Sequence, residues 1–251
     1  MNIKKTISDL LCSTLVGKTL ITVFHNRIPT LRNPGYRFSV PVRHSSPVIH
    51  ASIFWGIYES AEIRLIKKHL RPDLPVIELG GSLGVISSFI IRKLNKNASL
   101  LVVEANPHLT TTIQKNIDHH NEKKVSFFIV NKAIGYTSAA IYLNISNDNT
   151  ASYITDGLGN KEDAVEVECT QLSQIIPSEP FVLVCDIEGS EVEILLYDKE
   201  AMRYCSQLFI ELHNATHKDQ FYSREALLNI LIEDGFVLKN KDGNVYFFER
   251  N

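Results

Sequence analysis

Two acidic residues end consecutive apolar runs, Glu78 in Val76-Ile-Glu-Leu-Gly-Gly-Ser-Leu-Gly84 and Glu104 in Leu100-Leu-Val-Val-Glu104, with one helix's worth of chain between them. A carboxylate beside a glycine turn can hold an ammonium group, and a carboxylate at the end of the next strand can accept hydrogen bonds from both hydroxyls of a ribose. Together they outline a socket for an adenosine that carries an amino acid, as S-adenosylmethionine does. A dinucleotide fits less well, because a pyrophosphate turn wants G-x-G-x-x-G and this window reads Gly80-Gly81-Ser82-Leu83-Gly84-Val85. The expected cofactor contacts are Glu78, Gly80, Gly81, Ser82, Gly84, Glu104 and Ala105. Asn131, at the end of the following apolar run, is placed either to read the adenine edge or to cap a turn. Asp186 borders the same socket.

A second set of chemical groups follows two later apolar runs: Asp186-Ile-Glu-Gly-Ser-Glu191 after Phe181-Val-Leu-Val-Cys185, and Glu211-Leu-His213 after Leu208-Phe-Ile. Methyl transfer from a sulfonium asks mainly for alignment, but a hydroxyl acceptor must also lose its proton. His213 is the expected base because an ordinary imidazole titrates near neutrality. Asp186 and Glu188 would orient it or take the proton themselves. Tyr58, Glu59, Glu191 and Glu211 are the expected acceptor contacts. Asp186, Glu211 and His213 also carry donor types for a divalent metal, but their spacing is not diagnostic and no metal site is assigned.

The elements that must carry these residues alternate. Strands are expected at Val76 to Leu79, Ser99 to Glu104, Val125 to Val130, Phe181 to Cys185 and Leu208 to Leu212, and helices at Tyr58 to Leu70, Ile86 to Leu94, Pro107 to Asn116 and Ser190 to Leu196. Such alternation implies an α/β fold, a parallel sheet with right-handed crossovers and helices on both faces. Ala140 to Ile145 and Ala164 to Cys169 read as an antiparallel insertion around a polar loop, Ser146 to Lys161, whose length suits a lid. The tail reads as a hairpin through Asp242-Gly243. Residues 1–50 form an N-terminal accessory segment with a short strand at Tyr36 to Val40, and residues 51–251 form the main domain.

Composition sets outer limits. The 251 residues carry a formal net charge of only -2, which offers no bulk attraction to nucleic acid. Cys12, Cys169, Cys185 and Cys205 show no metal spacing and read as reduced thiols of a cytoplasmic protein. Ile3, Ile7, Leu10, Leu11 and Leu15 recur at helical spacing, too short and polar to span a bilayer. That helix would pack on the main domain or on a second subunit in a homodimer, or touch a membrane surface peripherally.

In its motifs the sequence resembles the FkbM-type methyltransferases. The corresponding runs are Glu78-Leu-Gly-Gly-Ser-Leu-Gly84, Val103-Glu-Ala-Asn-Pro107, Asp186-Ile-Glu-Gly-Ser-Glu191 and Ile210-Glu-Leu-His213, preceded by Phe54-Trp-Gly-Ile-Tyr-Glu59. Glu78, Gly81 and Ser82 stand where that family usually has Asp, Ala and Asn. The resemblance implies a class I methyltransferase (Rossmann-like) fold with seven strands in the order 3-2-1-4-5-7-6. It also implies S-adenosylmethionine as cofactor and methyl transfer to oxygen on a sugar, glycan precursor or other natural product. Two other functions remain open: a non-catalytic binding subunit, and a nicotinamide-dependent oxidoreductase that the broken glycine motif disfavours.

Overall fold

The computed structural model describes residues 11–25, 27–144, 153–154 and 164–250. In chain order the elements are α1 (Thr14–Phe24), β1 (Arg27–Pro29), β2 (Arg37–Ser39), α2 (Pro47–Trp55), α3 (Ser60–His69), β3 (Val76–Leu79), α4 (Val85–Lys93), β4 (Ser99–Val103), α5 (Thr110–His120) and β5 (Ser126–Val130). Next come β6 (Ala133–Ile134), β7 (Ala140–Asn144), β8 (Tyr153–Ile154), β9 (Ala164–Thr170), β10 (Phe181–Cys185), α6 (Glu191–Tyr197), α7 (Lys199–Met202) and β11 (Cys205–Glu211). The chain closes with β12 (Ala215–His217), β13 (Gln220–Tyr222), α8 (Arg224–Glu233), β14 (Phe236–Asp242) and β15 (Val245–Arg250).

The main sheet has seven strands in the order β14-β15-β11-β10-β3-β4-β5. Counted along the chain within that sheet and read from β5, the order is 3-2-1-4-5-7-6. β5, β4, β3, β10 and β11 run parallel, and β15 lies antiparallel between β11 and β14. All four residues of β3 are buried, because both faces of the sheet are covered. Val76 faces the apolar cluster that includes Ile63, Ile90 and Ile113 of α3, α4 and α5. Ile77 and Leu79 face the opposite cluster, with Val192, Met202 and Leu227 of α6, α7 and α8. Each such aliphatic side chain contributes about 1.5 to 3 kcal/mol on burial, so the register of β3 is strongly fixed. With it are fixed the residues at its carboxyl end.

Several elements depart from the sequence expectation. Pro107 does not open α5: the Asn106 side chain accepts the His108 N–H at 3.0 Å, and this turn delays the helix to Thr110. At its other end α5 continues to His120, whose ring is buried, stacks on Tyr36 and accepts the Arg37 N–H. α2, α7, α8 and the β12–β13 hairpin were not anticipated. Most of the expected lid, Ser146 to Lys161, lies outside the described residues; Tyr153–Ile154 within it pairs antiparallel with β7.

The N-terminal part is built into the body. Ile28, Phe38 and Val40 join the cluster of α3 to α5. Gly17 lets α1 lie against α2 so closely that a Cβ there would stand 1.8 Å from the Pro47 carbonyl oxygen. The apolar spacing expected at Ile3, Ile7 and Leu10 lies outside the described residues. No helix among the described residues is long and apolar enough to cross a membrane.

Candidate functional site

The turn after β3 is held from two sides. Gly80 donates its N–H to the Val103 carbonyl at 2.9 Å and has φ +89. A Cβ there would lie 2.0 Å from the Asp186 carbonyl oxygen, so only glycine lets the turn rest on the loop after β10. Gly81 is equally enclosed: its Cβ would meet Val102 at 2.5 Å, which accounts for glycine where an alanine is usual. Ser82 adopts φ +45, donates its N–H to Glu104 Oε2 at 2.7 Å and pairs its hydroxyl with Tyr58 at 3.1 Å. Glu104 Oε1 accepts the Asn106 N–H, also at 2.7 Å. The carboxylate of Glu104 therefore clamps two loops together, and each oxygen keeps one further acceptor direction. Burial raises its pKa to about 7 against the pull of those two N–H groups.

Glu78 is the opposite case. It is 1% exposed and neither carboxylate oxygen has a well-formed hydrogen bond. Burial pushes its pKa up to about 8, with Ser87 opposing the rise and Glu104 adding to it. A buried carboxylate without a partner at the mouth of a glycine turn fits the cationic amino-acid end of S-adenosylmethionine. Among the expected cofactor residues Glu78, Gly80, Gly81, Ser82, Gly84 and Glu104 come together here. Asn131 donates its amide nitrogen to the Glu104 and Ala105 carbonyls at 2.8 and 2.9 Å, so it ties β5 to the loop after β4, in line with the turn-capping alternative.

The loops after β10 and β11 form the second group. Glu188 and Gly189 take left-handed backbone, φ +52 and +101. Glu191, fully buried at the start of α6, accepts the N–H groups of Ile187 at 3.1 Å and Gly189 at 2.8 Å. Its Oε1 also meets His213 Nδ1 at 3.1 Å. Glu191 is thus a buried support for the loop and the imidazole, which corrects its expected place as an acceptor contact. His213 Nε2 faces Glu188 at 3.5 Å and Glu211 at 3.9 Å. The bond to Glu191, ahead of every other influence, raises the His213 pKa to about 9.

Around His213 the acids are destabilised as anions. Burial first, then Glu59, Glu211 and Glu188, push Asp186 up to about 8. Burial and the charges of Glu211 and Glu188 push Glu59 up to about 7, and burial raises Glu211 as well. Asp186 Oδ1 is buried without a hydrogen bond. Tyr58, its hydroxyl pushed strongly upward by burial, feels Glu59 and Asp186 and so stands between the two groups. One member was missed from the sequence: Glu62, 5% exposed, interacts with Glu59, Asp186, Glu78 and Glu211, and burial raises it well above the usual carboxylate range. Its spacing of three residues from Glu59 on a helix was the available signal.

A family model described as the methyltransferase FkbM domain matches residues 78–238. Among solved structures, the 23S rRNA methyltransferase ErmE is similar over 76% of this chain and 67% of its own, at 16% identity and a TM-score of 0.41. Magnesium protoporphyrin IX methyltransferase from Synechocystis PCC 6803, crystallised with bound SAM, is similar over 76% of each chain, at 12% identity and a TM-score of 0.44. No curated protein matches the chain.

Proposed function

The chain belongs to the FkbM methyltransferase family, whose members depend on S-adenosylmethionine, and from that premise we propose that it methylates a hydroxyl oxygen of a small acceptor, a sugar, a glycan precursor or a secondary metabolite. The observation that carries this reading is the meeting of two unlike groups. The Asp186 carbonyl rests against the Gly80 turn, which puts the carboxylate and imidazole group beside the turn that fits the cofactor.

When bound, S-adenosylmethionine supplies an electrophilic methyl group. Glu78 offers its unpartnered carboxylate to the amino-acid end, and the open acceptor directions of Glu104 suit the ribose hydroxyls. Asp186, Glu211 and His213 receive the hydroxyl proton as a coupled group, and such a proton belongs to the group and not to one side chain. Glu191 acts as a positioning residue, since it is buried and hydrogen-bonds His213 and the loop backbone. An acceptor with several hydroxyls has a further use for Glu59, Glu188 and Glu211 as hydrogen-bond acceptors.

Transfer of a labelled methyl group to a panel of sugars and polyols, with RNA transcripts in parallel, tests this reading. The expected product is an ether on a sugar or polyol, formed about a hundredfold more slowly by Asp186→Asn. Glu104→Ala should weaken S-adenosylhomocysteine binding at least about tenfold. Methylation of RNA alone, or undiminished turnover in a folded Asp186→Asn variant, would reject the hydroxyl acceptor and its proton path.

A further inference from the structure

We propose that a basic cavity between the β1–β2 pair and α5 binds the phosphate group of a small phosphorylated molecule. The cavity measures about 420 Å³ and is lined by Arg27, Arg37 and Ser39 on one side and Lys115, Asp118 and His119 on the other. Sites for small molecules run from about 300 to 1,000 Å³, so it has room for a phosphate and the group that carries it. It shares no residue with the two carboxylate groups at the ends of β3, β10 and β11.

The local sequence explains why the basic residues converge. Ile28 pairs with Phe38 across the two strands, and both join the apolar cluster of α3 to α5. Side chains alternate along a strand, so Arg27, opposite Ser39, and Arg37, opposite Pro29, lie on the other face. Lys115, Asp118 and His119 are three and four residues apart on α5 and therefore share one helical face. Asn116 joins the two walls. Its side chain accepts the Ser39 N–H at 2.7 Å, and its amide nitrogen donates to the carbonyls of Ser39 at 3.0 Å and Leu83 at 2.7 Å.

The charge of the cavity is out of balance. Two guanidinium groups, an ammonium and an imidazole line it with one carboxylate, that of Asp118, which accepts the Gln114 amide at 3.0 Å. Other exposed arginines are matched: Arg64, Arg71 and Arg203 meet Asp242, Asp73 and Glu200 at 2.6, 2.7 and 2.9 Å. Among the described residues, Arg27, Arg37 and Lys115 form no ion pair. Guanidinium forks match phosphate oxygens in pairs, and a lysine adds a point charge. A phosphate offers three strong acceptor oxygens and up to two charges, which answers this donor set better than a single carboxylate does. A polynucleotide needs a basic track, not one concavity with three permanent cations. A soluble phosphorylated metabolite and a phospholipid head group share the chemistry described.

The test titrates inorganic pyrophosphate into the full-length protein by calorimetry, in about 150 mM chloride to screen loose attraction. We expect one site per chain with Kd below about 1 mM. Arg37→Gln and Lys115→Gln should each weaken it at least about tenfold, whereas Lys96→Gln, on an exposed lysine outside the cavity, should leave it unchanged. S-adenosylhomocysteine affinity should stay the same in all three, and thermal unfolding checks the fold of each. Sedimentation with phosphatidylcholine vesicles that contain phosphatidic acid separates the two sources. Capture that pyrophosphate competes away and Arg37→Gln abolishes would assign the phosphate to a lipid head group; pyrophosphate binding without capture would assign it to a soluble molecule. No saturable pyrophosphate binding at about 1 mM would overturn the site, as would equal binding by the folded wild type, Arg37→Gln and Lys115→Gln proteins. Loss of S-adenosylhomocysteine binding by a wild type that still takes pyrophosphate would count against the proposed function alone.

Discussion

The end of β3 and the ends of β10 and β11 both gather buried carboxylates, but they satisfy them differently. Beside β3, Glu104 directs its oxygens to backbone N–H groups of two loops, and Glu78 has only the weak influence of Ser87. Beside β10 and β11 the acids surround one imidazole and alter each other's proton affinity. The first region is a turn fixed from two sides with one buried carboxylate at its mouth, an arrangement that suits a cationic group. The second is a set of groups whose titrations are coupled, which suits proton transfer at an acceptor. A fold can place both at one sheet edge because parallel strands end on the same side.

The largest effect should come from breaking the contact between the regions. Gly80→Ala puts a Cβ 2.0 Å from the Asp186 carbonyl oxygen, at a φ of +89 that L residues rarely adopt. The backbone conformation alone costs about 1 to 3 kcal/mol, and relief of the clash must move the Asp186 loop. Calorimetry should show S-adenosylhomocysteine binding weakened by about a hundredfold or more, and thermal unfolding should show a lower midpoint. Normal affinity and an unchanged midpoint would mean that the two regions do not lean on each other.

A smaller effect, confined to the frame, should appear in Glu78→Gln. The folded-state pKa of Glu78 is raised from 4.5 to about 8, so between those values the folded chain holds a proton that the unfolded chain has released. Stability contributed by this group therefore falls as pH rises, from its full value below about 4.5 to its minimum above about 8. Glutamine removes that dependence, while Glu104 and Glu62 nearby keep theirs. Without ligand, the variant should match the wild type near pH 4.5 and exceed it at pH 9, by on the order of a few kcal/mol. It should bind S-adenosylhomocysteine more weakly at pH 9, where Glu78 is ionised, with the difference shrinking toward pH 4.5. A wild type that gains stability over the variant with rising pH would show that Glu78 has a partner in the folded protein.

The sequence made the frame readable and left the second region half read. Runs such as Val76 to Leu79 and Phe181 to Cys185 are buried on both faces, so they read as unbroken apolar strands whose polar termini stand out. Glu191 looked like an acceptor contact because nothing in the order of residues reveals that the N–H groups of Ile187 and Gly189 turn back on it. The charge of His213 likewise depends on that long-range contact and not on spacing. α2 offers little sequence signal beyond Pro47, which suits a first helical turn. α8 has an explicit start signal, Ser223 accepting the Ala226 N–H, but it bears no group of the site.

The smallest effect should sharpen the comparison at the residue that faces both regions. Tyr58 precedes the helix carrying Glu62 and pairs its hydroxyl with Ser82 of the glycine turn at 3.1 Å, while its ring end feels Glu59 and Asp186. Tyr58→Phe removes that one bond, worth about 0.5 to 1.5 kcal/mol, and should weaken S-adenosylhomocysteine binding by about two- to tenfold. Ser82→Ala should cost a similar amount for the same reason. If the bond between them is what matters, the double variant should be little worse than either single one, because the second substitution has nothing left to remove. Fully additive losses would mean that the two hydroxyls act separately, Ser82 on the cofactor and Tyr58 on the acid group. The turn and the acids would then be neighbours joined only through the Gly80 backbone.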